Sequence, residues 1–305
     1  MSAGARFITE DEVRACLTFD DLIPAVREAL IEFSEGRVQQ PVRTVLRVDP
    51  HGGWFGVMPA VTPHCFGAKL VTFFPGNSGK LHTHMAMIQL FRIDTGEPIA
   101  VMDGRLITQM RTAAVSAVAT DLLAPKMAPV LAILGSGVQA RSHLEALRKV
   151  RRFEEIRVWS RTRTHAERFA EETGVASAAT AEEAVRGASV VVTVTSAAEP
   201  VLRGEWLAPD AYVNAVGSCT PDRRELDDAA MRGRVVVESR EAALRESGDV
   251  IQSGAPIFAE LGELLARPGG PEAGVRFVFK SLGVAVEDIA AAWLVYSKVT
   301  LNLLI

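Results

Sequence analysis

The stretch Gly135-Ser136-Gly137-Val138-Gln139-Ala140 follows the apolar run VLAIL and opens a segment of helical periodicity. A glycine at 135 permits a tight turn, one at 137 lets the backbone approach a pyrophosphate, and the small Ala140 allows close packing of helix on strand. The helix N-terminus would meet the phosphate charge. The pattern alone is weak, but strand, turn, helix and a second strand ending about 20 residues on agree here, which predicts a dinucleotide site. That second strand ends in Trp159-Ser160-Arg161-Thr162-Arg163, where an NAD site would carry an acid. Guanidinium pairs bidentately with phosphate and a carboxylate would repel it, so Ser160, Arg161 and Thr162 predict NADP(H) over NAD(H). The plainer reading is two surface arginines at a helix start. Arginine in a first turn opposes the macrodipole, a cost easier to understand if an anion binds there.

A second set of residues carries charge into apolar surroundings. Arg43, Lys69 and Arg111 lie in apolar or small-residue strand and helix starts, where a solvated role is uncomfortable. Each alone would more often be a surface charge or half of a salt bridge. Three in one pocket would need an anionic ligand.

The elements that must position these groups fall into two textures. Thr9 with Glu12 is a capping-box signature, and Thr18 to Glu35 places Leu22, Ile23, Val26, Leu30 and Phe33 on one helical face. From Arg43 to about Asp103, short β-rich runs alternate with Pro, Gly and Asp-Thr-Gly turn signals, the pattern of an antiparallel sheet. A helix opens at Thr108 and is stopped by Pro125. From residue 129 strands and helices alternate, and apolar runs such as SVVVTVTS between amphipathic helices predict a parallel sheet covered on both faces. The segment from Val284 is a helix apolar enough to pack back on the first domain. The expected fold is α/β: a Rossmann-type domain over 121–283 and an α+β domain over 1–120 completed by a helix at 284–305.

Composition removes other classes. The chain of 305 residues, 48% hydrophobic and 23% charged, is globular and long enough for two domains. A net charge of −4 with interspersed lysines and arginines carries no nucleic-acid footprint. Cys16, Cys65 and Cys219 are odd in number and widely spaced, which fits a reducing compartment and no metal site. No signal-like or membrane-length apolar run is present, so the expectation is a cytoplasmic protein with no membrane partner.

Longer motifs bring a family into view. QPVRTV (40–45), FGVMPA (55–60), AKLVTFF (68–74), AVMDGRLIT (100–108), RTAAVSAVAT (111–120), ILGSGVQA (133–140), NAVGSCTPDRRELDD (214–228) and FKSLGVAVED (279–288) closely resemble the ornithine cyclodeaminase/mu-crystallin family along nearly the whole chain. The resemblance implies a homodimer whose N-terminal domain binds substrate and dimerises. It implies that Arg43, Lys69 and Arg111 face the nicotinamide, with Lys69 and Arg111 catalytic. Thr83, His84, Arg111, Gly135, Gly137, Val138, Gln139, Ser160, Arg161, Thr162, Thr195 and Val216 would contact cofactor, and Cys219 would border substrate.

One departure separates branches of that family. Cyclodeaminases carry an aspartate, assigned to proton transfer, where this chain has Cys219, and a neutral thiol does not replace it. Asp222 and Glu225, in the charged DRRELDD run, read as structural. The expected activity is therefore NADPH-dependent reduction of a cyclic or N-substituted ketimine carboxylate, of the pyrroline- or piperideine-2-carboxylate type. Amination of an open 2-oxo acid as in the family's alanine dehydrogenases, cyclodeamination, and crystallin-like binding of NADPH without turnover are the competing readings.

Overall fold

The computed structural model describes residues 4–77, 79, 81–267 and 274–301. The chain forms two units, Met1–Arg111 with Gly283–Ile305, and Thr112–Leu282. The division falls after Arg111, inside a helix that the sequence reading assigned to the first domain as far as residue 120.

The first unit opens with β1 (Arg6–Ile8), α1 (Glu10–Cys16) and α2 (Phe19–Ser34). Thr9 and Glu12 form the expected reciprocal cap of α1, and Thr18 caps α2. Then follow β2 (Thr44–Val48), β3 (Gly53–Val61), β4 (Cys65–Phe73), β5 (His84–Arg92) and β6 (Pro98–Asp103). The sheet order is β1-β6-β5-β4-β3-β2, antiparallel except that β1 runs parallel to β6. Three residues are too few to show a strand period, so β1 has no sequence signal. The next helix, α3 (Arg105–Leu123), begins a turn before Thr108, because the Asp103 carboxylate accepts from the Arg105 N–H at 2.8 Å and caps it there.

Register puts Met58, Lys69, Ile88 and Met102 side by side on one face of this sheet. The C-terminal helix, Ala285–Leu301, packs on that face against β3, β4 and β5. Gly67 allows its approach: a Cβ there would stand 2.0 Å from the Gln89 carbonyl and 3.2 Å from the Ile289 side chain. The opposite face is apolar. Leu46, Phe55 and Met85 form one row across it with Thr72, and Val57, Leu70 and Met87 the next, with Leu46, Met85 and Met87 exposed.

The second unit contains β7 (Val130–Leu134), α4 (Val138–Val150), β8 (Glu155–Trp159), α5 (Arg163–Thr173), β9 (Ala176–Ser177), α6 (Ala181–Val185), β10 (Val190–Thr193), β11 (Tyr212–Ala215), β12 (Arg234–Val237), α7 (Arg240–Glu246), α8 (Gly248–Ser253), β13 (Ile257–Glu260), α9 (Leu261–Leu265) and β14 (Phe277–Lys280). All strands are parallel in the order β13-β12-β14-β11-β10-β7-β8-β9. β10 and β11 are buried along their whole length, as strands covered on both faces must be. The chain goes from β7 to β8 on one side and to β10 on the other, which makes the carboxyl ends of β7 and β10 the topological switch point of a Rossmann-type sheet. Among the described residues no helix is long and apolar enough to cross a membrane, and no His, Cys, Asp and Glu cluster is arranged to hold a metal.

Candidate active site

The first unit gathers the three expected cations. Lys69, in the middle of β4 and only 1% exposed, places its Nζ 2.6 Å from Oδ2 of Asp288. Arg111, on α3 and also buried, donates from Nε to Oδ1 of the same carboxylate at 2.9 Å and from its guanidinium to Glu287 Oε2 at 2.7 Å. Arg43 donates to the Gly283 carbonyl at 3.0 Å. The Lys69 pKa is lowered to about 8: burial lowers it most, Asp288 opposes the fall, and Arg111 and Arg43 add to it.

Glu287 and Asp288 sit in the first turn of the C-terminal helix, where the positive end of the helix dipole favours carboxylates. That turn is held by Gln40, whose side-chain oxygen accepts from the Val286 N–H at 2.7 Å. Gly283 just before it has φ of 73°, and a Cβ there would stand 2.1 Å from the Arg111 guanidinium. Only glycine lets Arg111 lie so close.

These carboxylates correct the sequence argument about charge. Asp288 and Glu287 answer the charges of Lys69 and Arg111 within the chain, so the pairs that the sequence left to an anionic ligand are met in part by the protein itself. Two adjacent acids in the otherwise apolar VAVEDIAAAWLV were the available signal for Glu287 and Asp288. His84 lies on the Lys69 face at the end of β5, its ring 4.4 Å from that of Phe73 and its Nδ1 3.3 Å from the Thr83 hydroxyl. Enclosure by protein atoms, then the Lys69 charge, lowers its pKa.

The second unit builds the glycine loop at its switch point. Gly135 has φ of 120°, and a Cβ there would meet the Val194 carbonyl at 2.7 Å, so both backbone and space demand glycine. Gly137, the N-cap of α4, faces open space and leaves the helix start without a side-chain cap. Ala140 is fully buried, Val138 is exposed, and the Gln139 Oε1 is buried with no hydrogen-bond partner. An open cradle and uncapped helix N–H groups fit a dinucleotide phosphate. Beyond β8, Ser160 is partly buried, Arg161 is exposed, and Thr162 caps α5 without using its side chain. Arg163 instead pairs with Glu167 at 2.7 Å one turn on, so the second arginine takes the plainer surface reading.

Glu225, which sequence reading left as structural, organises the neighbouring loops. Its buried carboxylate accepts from the Thr193 hydroxyl, the Thr195 N–H and hydroxyl, and the Gly217 N–H, all at 2.6–2.7 Å. Asp249 in turn accepts from the backbone of Glu225 and Leu226 and pairs with Lys280 at 3.1 Å. This network anchors Thr195 beyond β10 and the chain beyond β11, where Val216 leads to the exposed Cys219. Cys219 and the three cations belong to different units.

Comparison with known proteins gives concordant matches. The ornithine cyclodeaminase/mu-crystallin family model matches residues 5–302. The chain is 50% identical to mouse (Mus musculus) ketimine reductase mu-crystallin over 98% of both chains. It resembles the structure of Thermococcus litoralis Δ1-pyrroline-2-carboxylate reductase in complex with NADH and L-proline, with a TM-score of 0.92 and 34% identity over 97% of this chain and 98% of that one. It also resembles an archaeal alanine dehydrogenase dimer with bound NAD, with a TM-score of 0.91 and 31% identity over 98% and 97%. The chain belongs to the ornithine cyclodeaminase/mu-crystallin family.

Proposed function

We propose that this protein is an imine reductase that uses NADPH to convert cyclic or N-substituted ketimine carboxylates, of the pyrroline- or piperideine-2-carboxylate type, to the corresponding amino acids. The observation that carries the reading is the buried Lys69–Asp288–Arg111 cluster, with Arg43 in the same unit, a set of cations suited to orienting a small carboxylate. Relatives named as ketimine and pyrroline-2-carboxylate reductases support the reaction class.

A bound nicotinamide cofactor supplies the hydride. The residues of the chain bind, orient and charge the substrate. Arg43 and Arg111 hold the carboxylate, which fixes the C=N carbon for attack, and a proton reaching the imine nitrogen makes the carbon electrophilic enough that orientation matters more than acid strength. The helix start at Gly137 and Val138, with Gly135 and Gln139, holds the pyrophosphate; Ser160, Arg161 and Thr162 hold the 2′-phosphate. Thr195 and Val216 border the cofactor in the second unit, and Thr83, His84 and Cys219 keep the roles that the family resemblance implies.

The outer face of the first unit's sheet supports a homodimer in the same proposal. Leu46, Met85 and Met87 are exposed together, a face of the kind that a second copy covers. The widely spaced cysteines suit a cytoplasmic setting.

Oxidation of NADPH and NADH is to be followed with a panel of cyclic and N-alkyl ketimines and with pyruvate plus ammonia. Faster turnover of ketimines with NADPH is expected. Preference for pyruvate plus ammonia would assign the protein to 2-oxo acid amination, and cofactor binding without turnover would leave it a binding protein.

A further inference from the structure

Asp288 stands between two of the three cations. Of the three cations Lys69 is the one able to release a proton near neutral pH, since a guanidinium does not deprotonate, and a carboxylate of the chain holds its Nζ at 2.6 Å. The same carboxylate aligns Arg111 through its other oxygen, so one side chain sets the position of both cations. We infer that Asp288 is a positioning residue that keeps Lys69 protonated and aimed as the proton donor to the imine nitrogen, leaving carboxylate binding to Arg43 and Arg111. This rests on the ketimine reductase reading above.

The reaction then balances. The C=N carbon gains hydride from the reduced nicotinamide, the C=N π electrons become the nitrogen lone pair, and that nitrogen takes a proton from Lys69. The products are the CH–NH amino acid, oxidised cofactor and a neutral Lys69 that regains its proton from water.

The surroundings of Lys69 make this a matter of a few charges. The C-terminal helix supplies Asp288 and, through Arg111, Glu287; α3 supplies Arg111; the segment before β2 supplies Arg43; and β5 carries His84 on the same face. β3 and β5 place the apolar Met58 and Ile88 beside it. Burial, Arg111 and Arg43 favour the neutral amine, and Asp288 opposes them. With Asp288 present the midpoint stands at about 8, so Lys69 is charged at neutral pH and able to release its proton. Without that carboxylate the remaining influences all act downward, so the amine loses its proton at lower pH.

The chain has six lysines, so the spectrum of the full-length protein carrying 13Cε-lysine is assignable, with Lys69→Arg removing the signal of interest. Its titration should show a midpoint near 8 in the parent, a fall of about one unit or more in Asp288→Asn, and a value close to the parent in Asp288→Glu, which keeps the charge. In steady-state assays of the parent, kcat should fall above that midpoint while KM for the ketimine changes little. An ordinary lysine midpoint in the parent, or one that ignores Asp288→Asn, overturns the tuning role; the parent measurement needs no variant to fold. A pH dependence carried wholly by KM overturns the donor role and makes Lys69 a carboxylate clamp. Absence of turnover with every ketimine overturns the functional reading and the donor role with it, whereas the lysine titration still decides what Asp288 does.

Discussion

Arg161 is the residue on which the proposed preference for NADPH rests. It is exposed beyond β8, and its neighbour Arg163 is committed to Glu167. Arg161→Ala removes one charge-assisted hydrogen bond from a 2′-phosphate, so NADPH affinity should fall roughly 10- to 100-fold while NADH affinity barely moves. Titration of both cofactors by fluorescence checks this, and equal losses would remove the phosphate assignment. Gly283 does comparable work in the other unit. Gly283→Ala would place a methyl into the Arg111 guanidinium at a backbone φ of 73°. The cost should be about 1 to 3 kcal/mol, with a raised KM for the imine carboxylate and unchanged cofactor affinity. Denaturant melts beside substrate and cofactor titrations would show whether the damage is confined to the cation cluster.

At the scale of elements, α4 is fixed within the second unit by a histidine that stays neutral at neutral pH. His143 is fully buried, with Nδ1 2.8 Å from the Gln139 carbonyl and Nε2 2.9 Å from the Ser116 hydroxyl. Burial lowers its pKa from 6.5 to about 4. Between those values the unfolded chain binds the proton and the folded one does not, so stability is present above pH 6.5 and lost as pH falls. The loss from this residue between pH 7 and pH 5 should be roughly 2 kcal/mol. Urea unfolding at the two pH values is the measurement, and His143→Gln should lose most of that difference; an unchanged difference would mean that other groups dominate. Since the loop before α4 is the proposed phosphate cradle, acid loosening of this helix should weaken cofactor binding in the same pH range.

For the whole molecule, the proposed homodimer would cover the exposed apolar face of the first unit's sheet. Met87 projects from that face and is exposed. Met87→Glu should leave the secondary structure intact and convert the expected dimer to monomer, because burying an unpaired carboxylate in an apolar interface is costly. Light scattering at several concentrations reads the outcome, and a dimer that survives the substitution moves the interface to another surface.

Local pattern in the chain was enough for the Rossmann-type unit. Period, glycine spacing and buried apolar runs are properties of contiguous residues, and they located β7, α4, β8, α5, β10 and β11 and the loop at Gly135 and Gly137. The antiparallel sheet was legible for the same reason, and Arg43, Lys69 and Arg111 stood out as charges in apolar runs. Contacts between distant residues were not legible. The parallel pairing of β1 with β6, the insertion of β14 between β11 and β12, and the meeting of Asp288 with Lys69 and Arg111 join segments up to hundreds of residues apart. Such contacts leave no period in the sequence. The pairing of Arg163 with Glu167 and the anchoring of Thr195 by Glu225 likewise needed geometry, because composition alone does not say which carboxylate a cation or hydroxyl will find. The sequence thus determined which residues carry charge into apolar surroundings, and tertiary structure decided how much of that charge the protein neutralises itself, because burial requires each ion to find a partner wherever in the chain it lies.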